Sequence, residues 1–407
     1  MSTPPSSAAA SYDFFTPEVI GEPMPMLARL RSESPVYFSP QLQGWVLTRY
    51  QDVNTALRSP GLDSAMLLGM LGRFPPEVQQ ELTPLRNSVT LWMGHTNTKD
   101  HQRFQHILKK YFIPSTMDAL RPRIQQLTDE LLDAVQARGE MDVVKDLAYP
   151  LPANVIAEVL GIPTKDRDML VRWSRDVLAL FQTPDLDMMR RSQKSVLEMQ
   201  EYMRPIVADR RGNPRKDIIS VLVAAQEEGS VYSEDEIVAN CVMLLFGGHE
   251  TVANLLSTGV LHLLQHPDQM AKLKADPGLV HSAIEEMARY DGPADMLLRL
   301  TREPLTLGQT QIPAGNLVFL LTGAANRDPE AFTEPERFDI TRKQNRHLGF
   351  GIGSFYCLGA ALARVEMDVC LTTLLRRMPN LQPRFDKPDW MPLPPLRRRL
   401  ESLRVGF

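Results

Sequence analysis

The chain has 407 residues, 43% of them hydrophobic and 23% charged, an ordinary globular balance that excludes wholesale disorder and lets a chain this long bury well over half of its unfolded surface. Its 45 Lys and Arg against 49 Asp and Glu leave a net charge of −4 and a pI near 6.1, without the basic excess that a phosphate backbone demands, so nucleic acid is not expected as a partner. The cysteines Cys241, Cys357 and Cys370 are odd in number, which excludes a disulfide framework or a zinc site of paired thiolates and points to a reducing, cytoplasmic location.

Residues 1–12 are rich in Pro, Ser and Ala and lack the basic and apolar regions of a signal peptide or membrane anchor; they are expected to form a mobile leader to one domain over 13–407. Pro35–Phe38 and Trp45–Thr48 read as two short strands about a turn. From residue 51 to about 290 the period is helical: Ile124, Leu127, Leu131 and Val135 recur at three or four, as do Leu170, Trp173, Val177 and Leu180. Between about 303 and 340 short apolar pieces, Leu305–Leu307 and Val318–Leu321, are cut by Gly308, Pro313 and Gly315 and read as strands and turns. A helix over 358–377 and a tail alternating Leu403, Val405 and Phe407 close the chain. The fold class is mainly α, one large α-rich body with small peripheral sheets.

Two segments break local rules. Ser233-Glu234-Asp235-Glu236 has the form of a capping box, and no proline follows until Pro267, so a helix is predicted over 234–264, roughly 45 Å long at about 1.5 Å per residue. Its middle reads Gly247-Gly248-His249-Glu250-Thr251. Interior glycines cost about 1 kcal/mol each relative to Ala, and a carboxylate in an apolar helix must be paired or neutralised. Such conflicts arise where function overrides stability: either a neighbouring helix packs closely here, or something flat or diatomic lies against the bare stretch with a carboxyl and a hydroxyl to move protons. The second segment is Phe350-Gly351-Ile352-Gly353-Ser354-Phe355-Tyr356-Cys357-Leu358-Gly359, a glycine-punctuated loop that places Cys357 at a helix N-terminus, where unpaired N–H groups favour a thiolate able to bind metal.

Together these segments resemble the cytochrome P-450 superfamily, whose haem loop is Phe-Gly-x-Gly-x-(His/Arg)-x-Cys-x-Gly and whose oxygen-activating motif is (Ala/Gly)-Gly-x-(Asp/Glu)-Thr. The resemblance spans nearly the whole chain. Glu286-Met287-Ala288-Arg289 matches the family's Glu-x-x-Arg pair, Pro335-Glu336-Arg337-Phe338 is taken to supply the third member of its Glu-Arg-Arg cluster, and Asn326-Arg327-Asp328-Pro329 is a phrase of bacterial members. The resemblance implies a long central distal helix, haem b as cofactor, dioxygen as co-substrate, and insertion of one oxygen atom into a C–H or C=C bond. Cys357 would be the proximal iron ligand within a cradle that includes Phe350, Gly351 and Gly359. Gly247 and Gly248 would leave room for dioxygen, Thr251 would hydrogen-bond it, and Glu250 would relay protons. His249 points to another helical face and is expected to pack.

The propionate contacts depart from the family. Asp100-His101-Gln102-Arg103-Phe104-Gln105 keeps His101 but has Gln105 where Arg is common, and Phe355 stands at the loop position that is His or Arg. Arg299 fits the remaining propionate-binding Arg. With two of four charge-assisted contacts missing, each about 1.5–3 kcal/mol, weaker haem retention or substitute partners are expected, with His347 and Arg103 as candidates.

No cysteine cluster or spare length serves an internal reductase, so a ferredoxin and its reductase are implied, and Arg103, His106 and Lys110 could form part of a cationic docking face. The family's substrate walls fall on Ala65–Leu71, including Leu68, on Met243, Phe246 and Gly247, and on Met296, Leu297 and Leu298. They suit a sizeable hydrophobic small molecule, free or carrier-tethered, of secondary or lipid and terpenoid metabolism. A non-catalytic haem-fold recruitment module and an enzyme of oxidative coupling are the alternatives.

Overall fold

The longest helix runs from Glu234 to Gln265, 32 residues. Ser233 caps it, its Oγ accepting from the Glu236 N–H at 3.2 Å. The capping box is only half formed, because the Glu236 carboxylate accepts from the Tyr232 N–H at 2.8 Å and from Arg103 at 2.7 Å. Most residues of this helix are buried, as its apolar surround requires; it packs against the helices Pro150–Leu160, Arg167–Leu178 and Leu186–Gly212 in the middle of the largest apolar core. In this computed structural model, residues 12–64, 66–178, 180, 185–393 and 397–407 are described.

The expected hairpin forms from Val36–Ser39 and Gly44–Leu47, antiparallel with Val36 opposite Leu47. It is the edge of a five-stranded sheet in the order Val36–Ser39, Gly44–Leu47, Leu317–Leu320, Leu297–Thr301, Leu62–Asp63. Leu317–Leu320 is buried at all four positions, which explains its unbroken apolar run: a strand covered on both faces has no reason to alternate. The strand Leu297–Thr301 sets Arg299 opposite Val318. A second hairpin, Asp389–Leu393 with Arg397–Ser402, is hidden in the sequence by Pro392, a residue tolerated only at sheet edges.

The C-terminal helix is Ala360–Arg377, with Gly359 at its N-cap, so it begins two residues later than predicted. The helix Val280–Tyr290 carries Glu286 and Arg289, 0% and 1% exposed, joined through Nε and Nη2 at 2.8 Å each. The third member of this cluster is Arg342, not Arg337: Arg342 Nε lies 3.1 Å from Glu286. The Arg337 side chain turns outward to Glu334, and only its carbonyl reaches the cluster, accepting from Arg289 at 3.0 Å.

Tyr12 is 2% exposed, donates to Glu33 at 2.7 Å and stacks edge-on against Tyr37. It belongs to the body rather than to the leader; residues 1–11 lie outside the described residues. Among the described residues no helix is long and apolar enough to cross a membrane.

Candidate active site

One wall of the site is the loop before the C-terminal helix. Gly351 and Gly353 take φ of +67° and +75°, which a side chain would oppose, and the Cys357 N–H closes the loop onto the Phe350 carbonyl at 2.9 Å. The Cys357 sulfur is surrounded by protein yet accessible to an internal cavity. Burial pushes its thiol pKa up, while the Gly359 and Ala360 N–H groups and the Arg364 charge pull it down. A cation bound at the sulfur would complete the stabilisation of the thiolate.

The facing wall is the central helix. Thr251 Oγ1 donates back to the Gly247 carbonyl at 2.8 Å, one turn earlier, as hydroxyls inside helices do. The two glycines differ: a Cβ at Gly247 would meet nothing within 4 Å, whereas one at Gly248 would lie 2.6 Å from Ile156 Cδ1. Gly248 therefore admits the helix Pro150–Leu160, and the close-packing explanation applies to it while the open-space explanation applies to Gly247. His249 packs edge-on against Tyr149 at 5.3 Å, as expected. Glu250 accepts from the Tyr149 hydroxyl at 2.9 Å and lies 3.6 Å from Arg399, which itself donates to Tyr149 at 3.1 Å. Its Oε1 has no hydrogen-bond partner and lies 3.9 Å from His249 Nδ1, and Glu250 lines the cavity.

Between the walls lies a cavity of about 340 Å³ continuous in its lining with a second of about 310 Å³; both touch Met243, Thr251, Leu297, Arg299, Phe355 and Cys357. Phe246 and Met296 line the first; Gly247, Gly248, Phe350, Gly351 and Gly359 line the second. Met243 Sδ accepts from the Gly94 N–H at 3.1 Å. The side chain of Leu68, and Ala65 as a whole, lie outside the described residues.

A flat dianionic iron macrocycle requires a metal-binding sulfur, a bare face opposite it and buried cations at one edge. Cys357 and Gly247 meet the first two. Arg299 meets the third: it lines both cavities, among the described residues its hydrogen bond goes to the Leu298 carbonyl, and burial pushes its pKa down to about 10. No carboxylate pairs with it among the described residues, and a buried cation in this state calls for an anion. The residues present fit haem.

The remaining propionate candidates divide. His101 lines the cavity, with Nδ1 2.8 Å from the Met93 carbonyl and Nε2 2.8 Å from the Ser354 carbonyl. Gln105 donates to the same Ser354 oxygen at 3.0 Å, and Phe355 stacks on the His101 ring at 4.1 Å; the two departures from the family pattern thus knit the loop to the helix Thr98–Lys109. Neither proposed substitute serves. His347 is tied to Glu285 at 3.0 Å and accepts from the Gly349 N–H, and it lines neither cavity. Arg103 is held by Glu236 and Asp100 and lies over the Tyr232 ring, which also withdraws its guanidinium from any docking face.

Sequence reasoning did not find Tyr149, Arg399, His95 or Glu366. Glu366 lines the second cavity with both oxygens unpartnered, and burial raises its pKa well above the carboxylate range; its one signal is an acid at helical spacing from Leu362, Ala363 and Cys370.

The family model described as "Cytochrome P450" matches residues 92–277 and 278–394. The chain is 36% identical over 411 residues to the biotin biosynthesis cytochrome P450 of Bacillus subtilis (strain 168), covering 99% of each. It superposes on a crystal structure of P450BioI, in complex with acyl carrier protein ligated to hexadec-9Z-enoic acid, with a TM-score of 0.89 at 34% identity over 96% of this chain and 99% of that one. It superposes on myxobacterial CYP267B1 in complex with myristic acid with a TM-score of 0.86 at 38% identity, over 97% and 98%. With one sulfur set against a glycine-opened helix across a buried cavity, and full-length likeness to these proteins, the chain belongs to the cytochrome P450 family.

Proposed function

We propose that this cytochrome P450 oxygenates an extended apolar substrate of the fatty-acyl class, free or carrier-borne, with Cys357 as the residue that would hold the haem iron and Thr251 and Glu250 delivering protons. One observation carries the reading: a single accessible sulfur and an acid–alcohol pair face each other across one buried cavity. That combination also argues against a non-catalytic recruitment module, which would need neither. The reaction class is that of an oxygen-incorporating monooxygenase with haem b. When bound, haem b supplies the activation of dioxygen, with thiolate donation favouring O–O cleavage.

The rest of the chemistry belongs to the chain. Gly359 and Ala360 N–H groups would offset part of the cost that burial places on charge at the Cys357 sulfur. Arg299 would orient the cofactor's carboxylates at one edge, and His101 would join it by exchanging its contact with the Ser354 carbonyl for a carboxylate. Thr251 can turn its hydroxyl from the Gly247 carbonyl toward the cavity, and Glu250, with one oxygen held by Tyr149 and the other free of hydrogen bonds, can pass a proton to it. Met243, Phe246, Met296 and Leu297 exclude water and grip an apolar guest; their flexible thioethers suit a chain of variable bend.

The relatives bound to acyl ligands support the substrate class. Reducing equivalents would come from a ferredoxin and its reductase in the cytoplasm, as the family resemblance implies. The test is spectroscopic. The purified holoprotein should give the far-shifted carbon monoxide band of thiolate-ligated haem, and myristate or a carrier-bound acyl thioester should shift the ferric spin state at lower concentration than a steroid. A colourless protein after reconstitution refutes the enzyme; a preference for the steroid refutes the acyl assignment.

A further inference from the structure

We propose that His95 is a basic partner of the cofactor's carboxylates, taking over the contact that Gln105 and Phe355 leave vacant. The inference rests on haem binding as proposed above and concerns which residues retain it. His95 ends the short turn Met93–His95, just ahead of the helix that carries His101. Its ring stands in the wall of the same cavity as His101, Arg299 and Cys357. Burial and the nearby Arg299 charge together push its pKa down to about 4, against the pull of a hydrogen bond to the Ser64 backbone. Two basic groups thus face one enclosed space with no carboxylate paired to Arg299 among the described residues, an arrangement that an anion placed between them would relieve.

The position of the ring is also held. Ser64 Oγ donates to the Gly94 carbonyl at 2.5 Å, and the Trp92 ring packs at 5.9 Å. The turn is therefore braced on both sides of His95, as a residue that must orient a ligand requires. The other candidates are spent: His347 on Glu285 and Arg103 on Glu236, with Gln105 donating to Ser354. His101 is bracketed by two carbonyls. His95 and His101 are the two imidazoles that line this cavity among the described residues.

The test uses red holoprotein and reads cofactor retention rather than turnover. Haem transfer to an excess of an apoprotein acceptor is followed for the wild type, His95→Leu and His95→Arg. Loss of one charge-assisted contact should speed haem release by roughly tenfold or more in His95→Leu, and His95→Arg should restore most of the retention. The same series is repeated with haem dimethyl ester, whose carboxylates are masked; there His95→Leu should change the release rate less than about twofold, because a double cycle cancels everything except the pairwise contact. Equal acceleration with haem and with its ester would assign His95 to packing and overturn the proposal. So would unchanged haem release accompanied by altered substrate binding, which would place the ring against the guest instead. Because every variant is measured as thiolate-ligated holoprotein, these outcomes are distinct from failure of the enzyme assignment.

Discussion

Alanine at Gly248 and alanine at Gly247 should act in opposite directions although the residues are adjacent on one helix. Each substitution gains about 1 kcal/mol of helix preference. At Gly248 the new methyl would lie 2.6 and 2.7 Å from Ile156 Cδ1 and Cγ1 and 3.2 Å from its Cβ. Ile156 is 2% exposed and stiff, with little room to retreat, so overpacking of about 1–3 kcal/mol is set against that gain. At Gly247 nothing lies within 4 Å, and the helix gain stands alone. The helix terms cancel in the comparison, leaving Gly248→Ala less stable than Gly247→Ala by the overpacking term, about 1–3 kcal/mol. Denaturant midpoints of the two holoproteins measure it. Ile156→Ala removes both atoms nearer than 3 Å, leaving only Cβ at 3.2 Å, and should offset the overpacking of Gly248→Ala, with a coupling of about 1 kcal/mol in the double cycle. The methyl of Gly247→Ala enters the cavity, so that variant should keep its stability and lose much of its substrate-induced spin shift. Equal midpoints for the two alanines, or no coupling to Ile156→Ala, would refute the assignment of Gly248 to helix packing.

Arg342→Leu removes a charge-assisted bond from fully buried Glu286 and should destabilise by about 1.5–3 kcal/mol, whereas Arg337→Ala, whose surface pair with Glu334 is half exposed, should stay within about 0.5 kcal/mol; thermal unfolding distinguishes them, and the reverse order would restore Arg337 to the cluster. Tyr149→Phe strips Glu250 of its hydroxyl donor and should, like Thr251→Ala, divert reductant into peroxide; an unaltered ratio of peroxide to reductant consumed would separate Tyr149 from proton delivery. Burial alone would raise the Glu285 pKa, but Arg364 and His347 hold it down at about 2. Since the folded value is depressed, its stabilising contribution is complete above the unfolded value of about 4.3 and is lost as pH falls toward about 2. Glu285→Gln should therefore flatten the pH dependence of the denaturant midpoint across that window, and an unchanged slope would contradict the pairing.

Local physics made the two central segments legible. A Ser-x-x-Glu start and an unbroken apolar surround specify the helix Glu234–Gln265 without reference to anything distant, and glycines with left-handed φ beside a lone cysteine specify the loop that offers the Cys357 sulfur. Strand Leu297–Thr301 was less visible, because a short apolar stretch does not reveal whether it pairs with Leu317–Leu320.

What the order of residues could not decide was where the long charged and polar side chains end. Arg342 rather than Arg337 reaches Glu286, Arg103 is spent on Glu236, and Arg399 and Tyr149, remote in the chain from Glu250, meet it in the interior. A guanidinium's reach of several ångströms admits many partners, and only packing selects one. Two adjacent glycines likewise read the same in sequence; the approach of Ile156 to one of them alone gave one a packing role and left the other facing the cavity. Periodicity and spacing determined the scaffold and the sulfur, and the tertiary structure decided which charges remain in the cavity wall to meet a ligand.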